Sequence, residues 1–324
     1  MQTPTESYVT YYPQFIELAD TQLEKCLWFA SEIDVEKDRQ DLMINMTAAE
    51  KHAVSVALKL FVKYELFVGS EHWNGRIRKM FPIPEIQRMA SVFGMVEEAV
   101  HAPFYDKLNQ VIGNNIDEFY TSYAEDPVLA QRMAHLGALV DSDDDLVSLA
   151  VFSLIEGAVL FSSFALFKSF QSNGKNLIGN TVRGINQSII DEGLHQTAGA
   201  VLFKTLLSEL NLSKGQLAEL HRKIIEAALV LGGHEEDIIG MFTEKGEIGI
   251  SAYQFIEFVH SRLNICLSDL DISPAYVIND DSVAKWFYDG VQKFQSIDFF
   301  TSGIGREYTR GWSAEKFVWK KETK

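Results

Sequence analysis

The sequence predicts an all-α protein, a bundle of long helices with further helices packed around it. Three observations carry this reading. Helix start and stop signals recur along the chain, whereas hairpin dipeptides and alternating strand runs are scarce. Four of the segments they delimit run for roughly 25 to 33 residues, longer than an average globular helix and suited to a bundle. With 47% hydrophobic residues, a chain of 324 can bury a large core.

Thr47-Ala-Ala-Glu50 is a capping box, opening a first helix that reaches toward Lys79. Pro84 in FPIPE opens a second, which runs toward Gly113. Asp141, Asp143, Asp144 and Asp145 place carboxylates at the positive end of a third, LVSLAVFSLIEGAVLFSSFALF over residues 146–167, and Gly174 follows its far end. Asn176 to Leu210 reads as a fourth. Ser213 with Gln216 caps a fifth, Ser251 opens a sixth and Asp281 a shorter one. After about Phe300 the chain mixes glycines, aromatics and lysines without a helical face. This predicts a helical domain of residues 1–300 and a flexible C-terminal tail of residues 301–324. The tail's Gly-Ile-Gly has no strand before it and is not read as a phosphate loop.

Composition narrows the function. A net charge of −16 disfavours nucleic acid and anionic membranes as partners. Cys26 and Cys266 are far apart and form neither a disulfide framework nor a zinc-thiolate site. The start, MQTPTESYVT, lacks the charged-then-apolar pattern of a secretory signal, so a cytoplasmic location is expected. Residues 146–167 are long enough to span a bilayer, but Glu156 sits near their middle and no basic flank precedes them. They read instead as a central core helix, apolar on every side.

The chemistry lies in two copies of one oddity. VEEAVHAPFY, residues 96–105, and SIIDEGLHQTAGA, residues 188–200, each carry Glu-x-x-His on an apolar helix: Glu98 with His101, and Glu192 with His195. Residues three apart share a helical face, so each pair presents one carboxylate and one imidazole together. Glu156 and Glu65 add one carboxylate each from two more helices. One glutamate from each of two helices plus Glu-x-x-His from each of two others is the dimetal-carboxylate arrangement of ferritin-like bundles. Charge balance agrees, because four buried carboxylates repel one another unless two divalent cations neutralise them. Oxygen and nitrogen donors without thiolate suit iron or manganese. Glu71 is the weaker candidate for the first ligand, since six residues turn an α-helix by about 240° and set it on another face from Glu65. His52, His135, His221, His234 and His260 lack ligand-spaced partners and read as surface or structural. Tyr105, four residues after His101, shares its face.

These residues resemble the radical-generating small subunit of class I ribonucleotide reductase, a ferritin-like family. The resemblance runs from about Trp28 to Phe300. Trp28 precedes an acidic segment in LWFASEIDVEKDR, and Glu65 follows Lys51 of Glu50-Lys51-His52 by fourteen residues. Glu98, His101 and Tyr105 match the family's Glu-x-x-His-x-x-x-Tyr, Glu156 its lone glutamate, and Asp191, Glu192 and His195 its Asp-Glu-x-x-His. The resemblance implies metal ligands Glu65, Glu98, His101, Glu156, Glu192 and His195 around two transition-metal ions, iron or manganese or both. It implies a one-electron hole, made by reaction with oxygen species and held on Tyr105 or the metals. The hole would pass through Asp191 and Trp28 and a tail tyrosine, Tyr308, to a large subunit that reduces ribonucleotides to deoxyribonucleotides. Trp312 and Trp319 are alternative relays, and a homodimer is implied. Asp191 would also orient a ligand imidazole.

The sequence departs from the family's common pattern in several places. Glu65 stands where many members have aspartate, as in members that use manganese or lack a stable tyrosyl radical. Ser188 and Leu160 stand where bulky apolar residues often surround the tyrosine. Pro103 lacks an amide hydrogen and should bend the helix between His101 and Tyr105. The Lys-Lys-Glu-Thr-Lys end differs from the acidic-apolar end common in the family. Two further readings are a ferritin-like dimetal oxidase acting on its own small or lipid-like substrate, and a metal-storage or structural bundle.

Overall fold

The computed structural model describes residues 1–5, 7–172 and 174–292, and among these no strand occurs. Tyr308, Trp312, Trp319 and the proposed division after residue 300 lie outside the described residues. The chain divides into two compact units, Met1–Ala284 and Lys285–Lys324. Of the second, residues 285–292 are described, and they are helical.

Four long helical segments make the core of the first unit. The first is α1, Ala48–Phe67, continued by a wide π-helical stretch, Val68–Ile77. The second joins α2, Pro84–Val96, a π-turn, Glu97–His101, and α3, Ala102–Ile112. The third joins α4, Asp145–Leu154, a π-turn, Ile155–Val159, and α5, Phe161–Ser169. The fourth is α6, Gly179–Glu209. Around them pack α7, Lys214–Thr243, lying on α1 and α4, and α8, Ala252–Asp269, lying on α7. All these elements lie in the stretches that the sequence signals delimited.

The ends of these helices follow from short-range chemistry. In the Thr47 capping box the Glu50 amide donates to Thr47 Oγ1 at 3.2 Å and the Thr47 amide to Glu50 Oε2 at 2.7 Å. Ser213 with Gln216 and Ser251 with Gln254 repeat the device. Asp144 accepts from the Val147 amide at the start of α4. The N-terminus of α6 borrows its caps: Asp38 accepts from the Asn180 and Thr181 amides, and Asp41 from the Ile178 amide. Ile178 itself sits at φ 50°, a costly conformation for a β-branched residue.

Segment 146–167 is a core helix, because the whole apolar window within Asp145–Ser169 is buried inside the protein. Its Phe164 meets Phe61 of α1 at 6.0 Å, ring centre to ring centre, and Phe61 in turn lies 4.4 Å from Tyr105 of α3. Gly184 of α6 lets Phe104 approach so closely that a Cβ there would lie 2.3 Å from the ring. The expected effect of Pro103 takes a specific form: the π-turn ends just before it and Pro103 occupies the first turn of α3, where a missing amide hydrogen costs least.

Candidate metal centre

Each of the four core segments contributes acid to one buried cluster. Two groups of potential ligands emerge, Glu65 with Glu97, His101 and Glu192, and Glu97 with Glu156, Glu192 and His195. Within each group the ligand atoms lie within 4.8 Å of one another. Glu97 and Glu192 belong to both, as carboxylates shared between two adjacent cations would. The two imidazole rings stand 6.3 Å apart, one for each group.

One of the six candidates stands apart from the cluster. Five of the six sequence candidates, Glu65, His101, Glu156, Glu192 and His195, converge here, but Glu98 does not; its place is taken by Glu97. The reason is the π-turn over Glu97–His101, closed by the Ala102 amide donating to the Glu97 carbonyl. A hydrogen bond spanning five residues widens the turn, so the residue four before His101, not three, comes to its face. Glu98 is half-buried and accepts from Asn74 Nδ2 at 3.1 Å. Glu71 is exposed.

His101 is held from both ends. Its Nε2 lies 3.0 Å from Asp191 Oδ2, leaving Nδ1 to face Glu97 Oε2 at 3.0 Å, Glu192 at 3.4 Å and Glu65 at 3.6 Å. A carboxylate on the far nitrogen fixes the tautomer and orientation of a ligand imidazole. Asp191 is itself pinned, since Trp28 Nε1 donates to Oδ2 and Gln22 Nε2 to Oδ1, both at 2.8 Å. His195 has a different setting, between the rings of Phe93 at 4.4 Å and Trp73 at 5.9 Å. Trp73 Nε1 also donates to Glu156 Oε1 at 2.8 Å.

The π-turn that carries Glu156 leaves main-chain carbonyls without helical donors, and two arginines supply them. Arg262 donates to the Gly157 carbonyl through Nε at 2.8 Å and Nη2 at 2.6 Å, and Arg132 Nη2 donates to the Val159 carbonyl at 2.8 Å. Gly157 has no room for a side chain, because a Cβ would lie 2.3 Å from Cys266 Sγ. The wide turn, and so the position of Glu156, is built in by packing and by hydrogen bonds together.

The electrostatics are those of a site made for cations. Burial, and then Glu97, push the Glu65 carboxyl well above the usual carboxylate range; burial and Glu192 do the same to Glu156. Glu192 is pushed up to about 8 by burial and Glu97. Burial would raise Glu97 too, but the imidazole of His101 and that of His195 bring it well below its ordinary value. Cations entering such a cluster displace protons. The donors fit them: Glu65 Oε1, Glu97 Oε1, Glu192 Oε1 and both nitrogens of His195 are buried without a hydrogen-bond partner. His195 Nδ1 lies 2.6 Å from Glu97 Oε1 without forming a hydrogen bond. Such buried atoms are costly unless something binds them, and hard oxygen with imidazole nitrogen suits iron or manganese.

Tyr105 is fully buried beside the cluster, its ring 5.1 Å from Phe104. Burial and then Glu65 raise its phenol well above 10, while His101 and the Ser188 hydroxyl pull it back. Among the other histidines, His52 contacts the Met241 carbonyl, and His260 stacks on Tyr276 at 3.8 Å. His135 and His234 pair edge to face at 5.5 Å. None belongs to the ligand groups. Sequence reasoning missed Glu97, Trp73 and Gln22. The adjacent pair Glu97-Glu98 was the available signal for the first; no spacing rule points to the other two.

The family description "Ribonucleotide reductase, small chain" matches residues 8–282. No curated protein matches the sequence. Among solved structures, the dimanganese(II) NrdF protein of Streptococcus sanguinis superposes with a TM-score of 0.76 at 17% identity, covering 87% of this chain and 97% of that one. The ribonucleotide reductase R2 subunit of Clostridium botulinum gives 0.75 at 20% identity, covering 86% and 88%. A ribonucleotide reductase homodimer of Saccharomyces cerevisiae gives 0.70 at 17%, covering 91% and 90%. These likenesses show a ferritin-like fold, and the family match favours a reductase subunit over a free-standing oxidase. From residue 8 to residue 282, this chain belongs to the ribonucleotide reductase small-chain family.

Proposed function

We propose that the chain holds two transition-metal ions between Glu65, Glu97, His101, Glu156, Glu192 and His195. It would act as the oxidant-storing subunit of a class I ribonucleotide reductase, passing a one-electron hole to a separate large subunit that makes deoxyribonucleotides. The observation that carries this is the pair of four-donor groups sharing Glu97 and Glu192. The ions, when bound, supply the oxidising equivalent by reaction with oxygen or a reduced oxygen species. Manganese in one or both positions is supported by the all-oxygen-and-nitrogen donor set, by Glu65 in place of aspartate, and by the dimanganese(II) relative; iron suits the same donors.

The side chains divide the remaining work. Tyr105, closed in by Phe61 and Phe104, stores the hole out of reach of water. Asp191 Oδ2 accepts from Trp28 Nε1 and faces His101 Nε2, joining the cluster to the tryptophan through hydrogen bonds. Phe29, beside Trp28, is half exposed, so the route from the cluster ends near the surface. From there Tyr308 of the tail would relay the hole to a docked large subunit. A homodimer, as in the yeast relative, and a cytoplasmic location complete the reading.

Reconstitution in air with manganese, iron or both, followed by metal analysis, electron paramagnetic resonance and assay with the large subunit, tests it. Two ions per chain and turnover only with that subunit are expected. Trace metal in a properly loaded sample, or no binding to a nucleotide-reducing subunit, overturns it. Tyr105→Phe should keep both ions and lose any tyrosyl signal; unchanged turnover would move the stored hole to the metals.

A further inference from the structure

We infer that Glu97 and Glu98 are alternative ligands for the shared carboxylate position, exchanged by a one-residue slip of the π-turn between α2 and α3. The inference rests on the metal-site reading above. In the described conformation the wide turn brings Glu97 into both ligand groups. If the wide turn slips one residue toward the N-terminus, into the end of α2, Glu98 and His101 take ordinary α-helical spacing, and Glu98, three before His101, comes to the imidazole face and competes with Glu97 for the shared position. The two glutamates are adjacent, so the exchange needs no movement of α2 or α3 as bodies.

Three local features are built for it. The turn is bounded on its C-terminal side by Pro103, which cannot donate to the Ala99 carbonyl, so an ordinary helical ladder is already broken there. Gly69, on the facing π-helical stretch, clears a lane for both stems: a Cβ there would lie 2.7 Å from Glu98 Cγ and 3.0 Å from Glu97 Cβ. Asn74 holds the waiting carboxylate, its Nδ2 donating to Glu98 Oε1 at 3.1 Å. Asn74 in turn fits only because residue 94 is glycine, where a Cβ would lie 2.3 Å from Nδ2. Glu98 is therefore parked beside the site on a single hydrogen bond to an amide. A pair of cations that changes charge during a reaction cycle asks for different carboxylate geometry in each state, and two exchangeable glutamates supply it.

The test is manganese(II) binding by the full chain, read as ions per chain, affinity and the magnetic coupling between the ions. It compares wild type with Glu97→Gln, Glu98→Gln, the double variant, and Glu97→Gln/Asn74→Ala. Each single variant should keep two coupled ions at affinity reduced by about tenfold, and the double variant should lose the coupled pair. Releasing Glu98 from Asn74 should tighten binding by Glu97→Gln about fivefold, the worth of one hydrogen bond. The inference is overturned if either single variant already behaves as the double while the other behaves as wild type, which would make one glutamate the fixed ligand. Should Glu97→Gln fail to fold, Glu98→Gln alone decides: unchanged affinity and coupling overturn the inference. Failure of wild type itself to bind manganese or iron is a different result and strikes the metal-site reading.

Discussion

Glu156 and Glu235 lie deep in the same protein, 3% and 1% exposed, yet they are neutralised in opposite ways. Glu235 of α7 meets the guanidinium of Arg132 through one oxygen and the Ser162 hydroxyl, at 2.5 Å, through the other. Burial raises its carboxyl, but Arg132 works against the rise. Glu156 meets Trp73 and then other carboxylates, and burial with Glu192 lifts it well out of the ordinary range. Burial of acid is therefore not itself the mark of a metal site. The mark is buried acid for which the fold provides imidazoles and more acid, but no guanidinium or ammonium.

The largest effect that would sharpen this comparison is metal removal. Chelation should abolish turnover with the large subunit and lower unfolding stability, by about 4 kcal/mol for each ion whose free concentration had stood a thousandfold above its dissociation constant. Reloading should restore both. The Arg132–Glu235 pair should be indifferent to the chelator, so a Glu235→Gln protein, which leaves Arg132 on the Val159 carbonyl, should lose the same increment. Denaturant melts with and without chelator measure this, and equal stability in the two conditions would break the contrast.

Next in size is the cost of opening the closed pair. Arg132→Met leaves Glu235 buried without its cation and should destabilise the protein by about 3–5 kcal/mol. Arg132→Met with Glu235→Leu should recover most of that loss, because the buried charge goes with its partner. The same logic predicts the reverse for the cluster: in chelated protein, Glu156→Gln should leave stability unchanged or raise it, since it removes one of several mutually repelling acids. Equilibrium unfolding of the variants separates the two behaviours.

How far these regions could be read from the sequence follows from the range of the interactions. Capping boxes at Thr47 and Ser213 are legible because donor and acceptor lie three residues apart. Five of the clustered side chains were legible because the α-helical period holds near them or because they stand alone in apolar runs. Glu97 was not, since the rule that pairs Glu98 with His101 presumes a period that Pro103 and the wide turn set aside. Trp73 reaches Glu156 from a π-helical stretch whose phase relative to Glu65 no periodic rule gives. Arg132 and Glu235 stand 103 residues apart, and only the packed bundle brings them together.

A third buried charge sharpens the comparison through pH. Lys168 of α5 donates to Asn186 Oδ1, and burial lowers its ammonium to about 8. Between about 8 and the usual lysine value the unfolded chain binds the proton and the folded chain does not, so stability should rise with pH across that window. At most this is worth roughly 3 kcal/mol, counting 1.36 kcal/mol per pH unit. Lys168→Met should flatten the rise, as measured by denaturant melts from pH 7 to 10; an unchanged slope would assign it elsewhere.

The smallest effect concerns Ser188, whose hydroxyl and the Tyr105 hydroxyl are both fully buried and neither makes a hydrogen bond. A hydroxyl opposite a phenol matters little to folding, so Ser188→Ala should change stability by less than about 1 kcal/mol. It should matter more to an oxidised tyrosine, whose oxygen has lost its proton and can only accept. Ser188, whose hydroxyl already acts on the Tyr105 phenol, can donate to that oxygen; with alanine no donor replaces it. The tyrosyl resonance of Ser188→Ala should therefore move to the signature of a phenoxyl without a hydrogen bond, while Ser188→Thr, which keeps the hydroxyl, retains the wild-type signature. Identical spectra for wild type and Ser188→Ala would mean that the serine hydroxyl turns away from Tyr105, and that Glu65 is the polar neighbour that sets its chemistry.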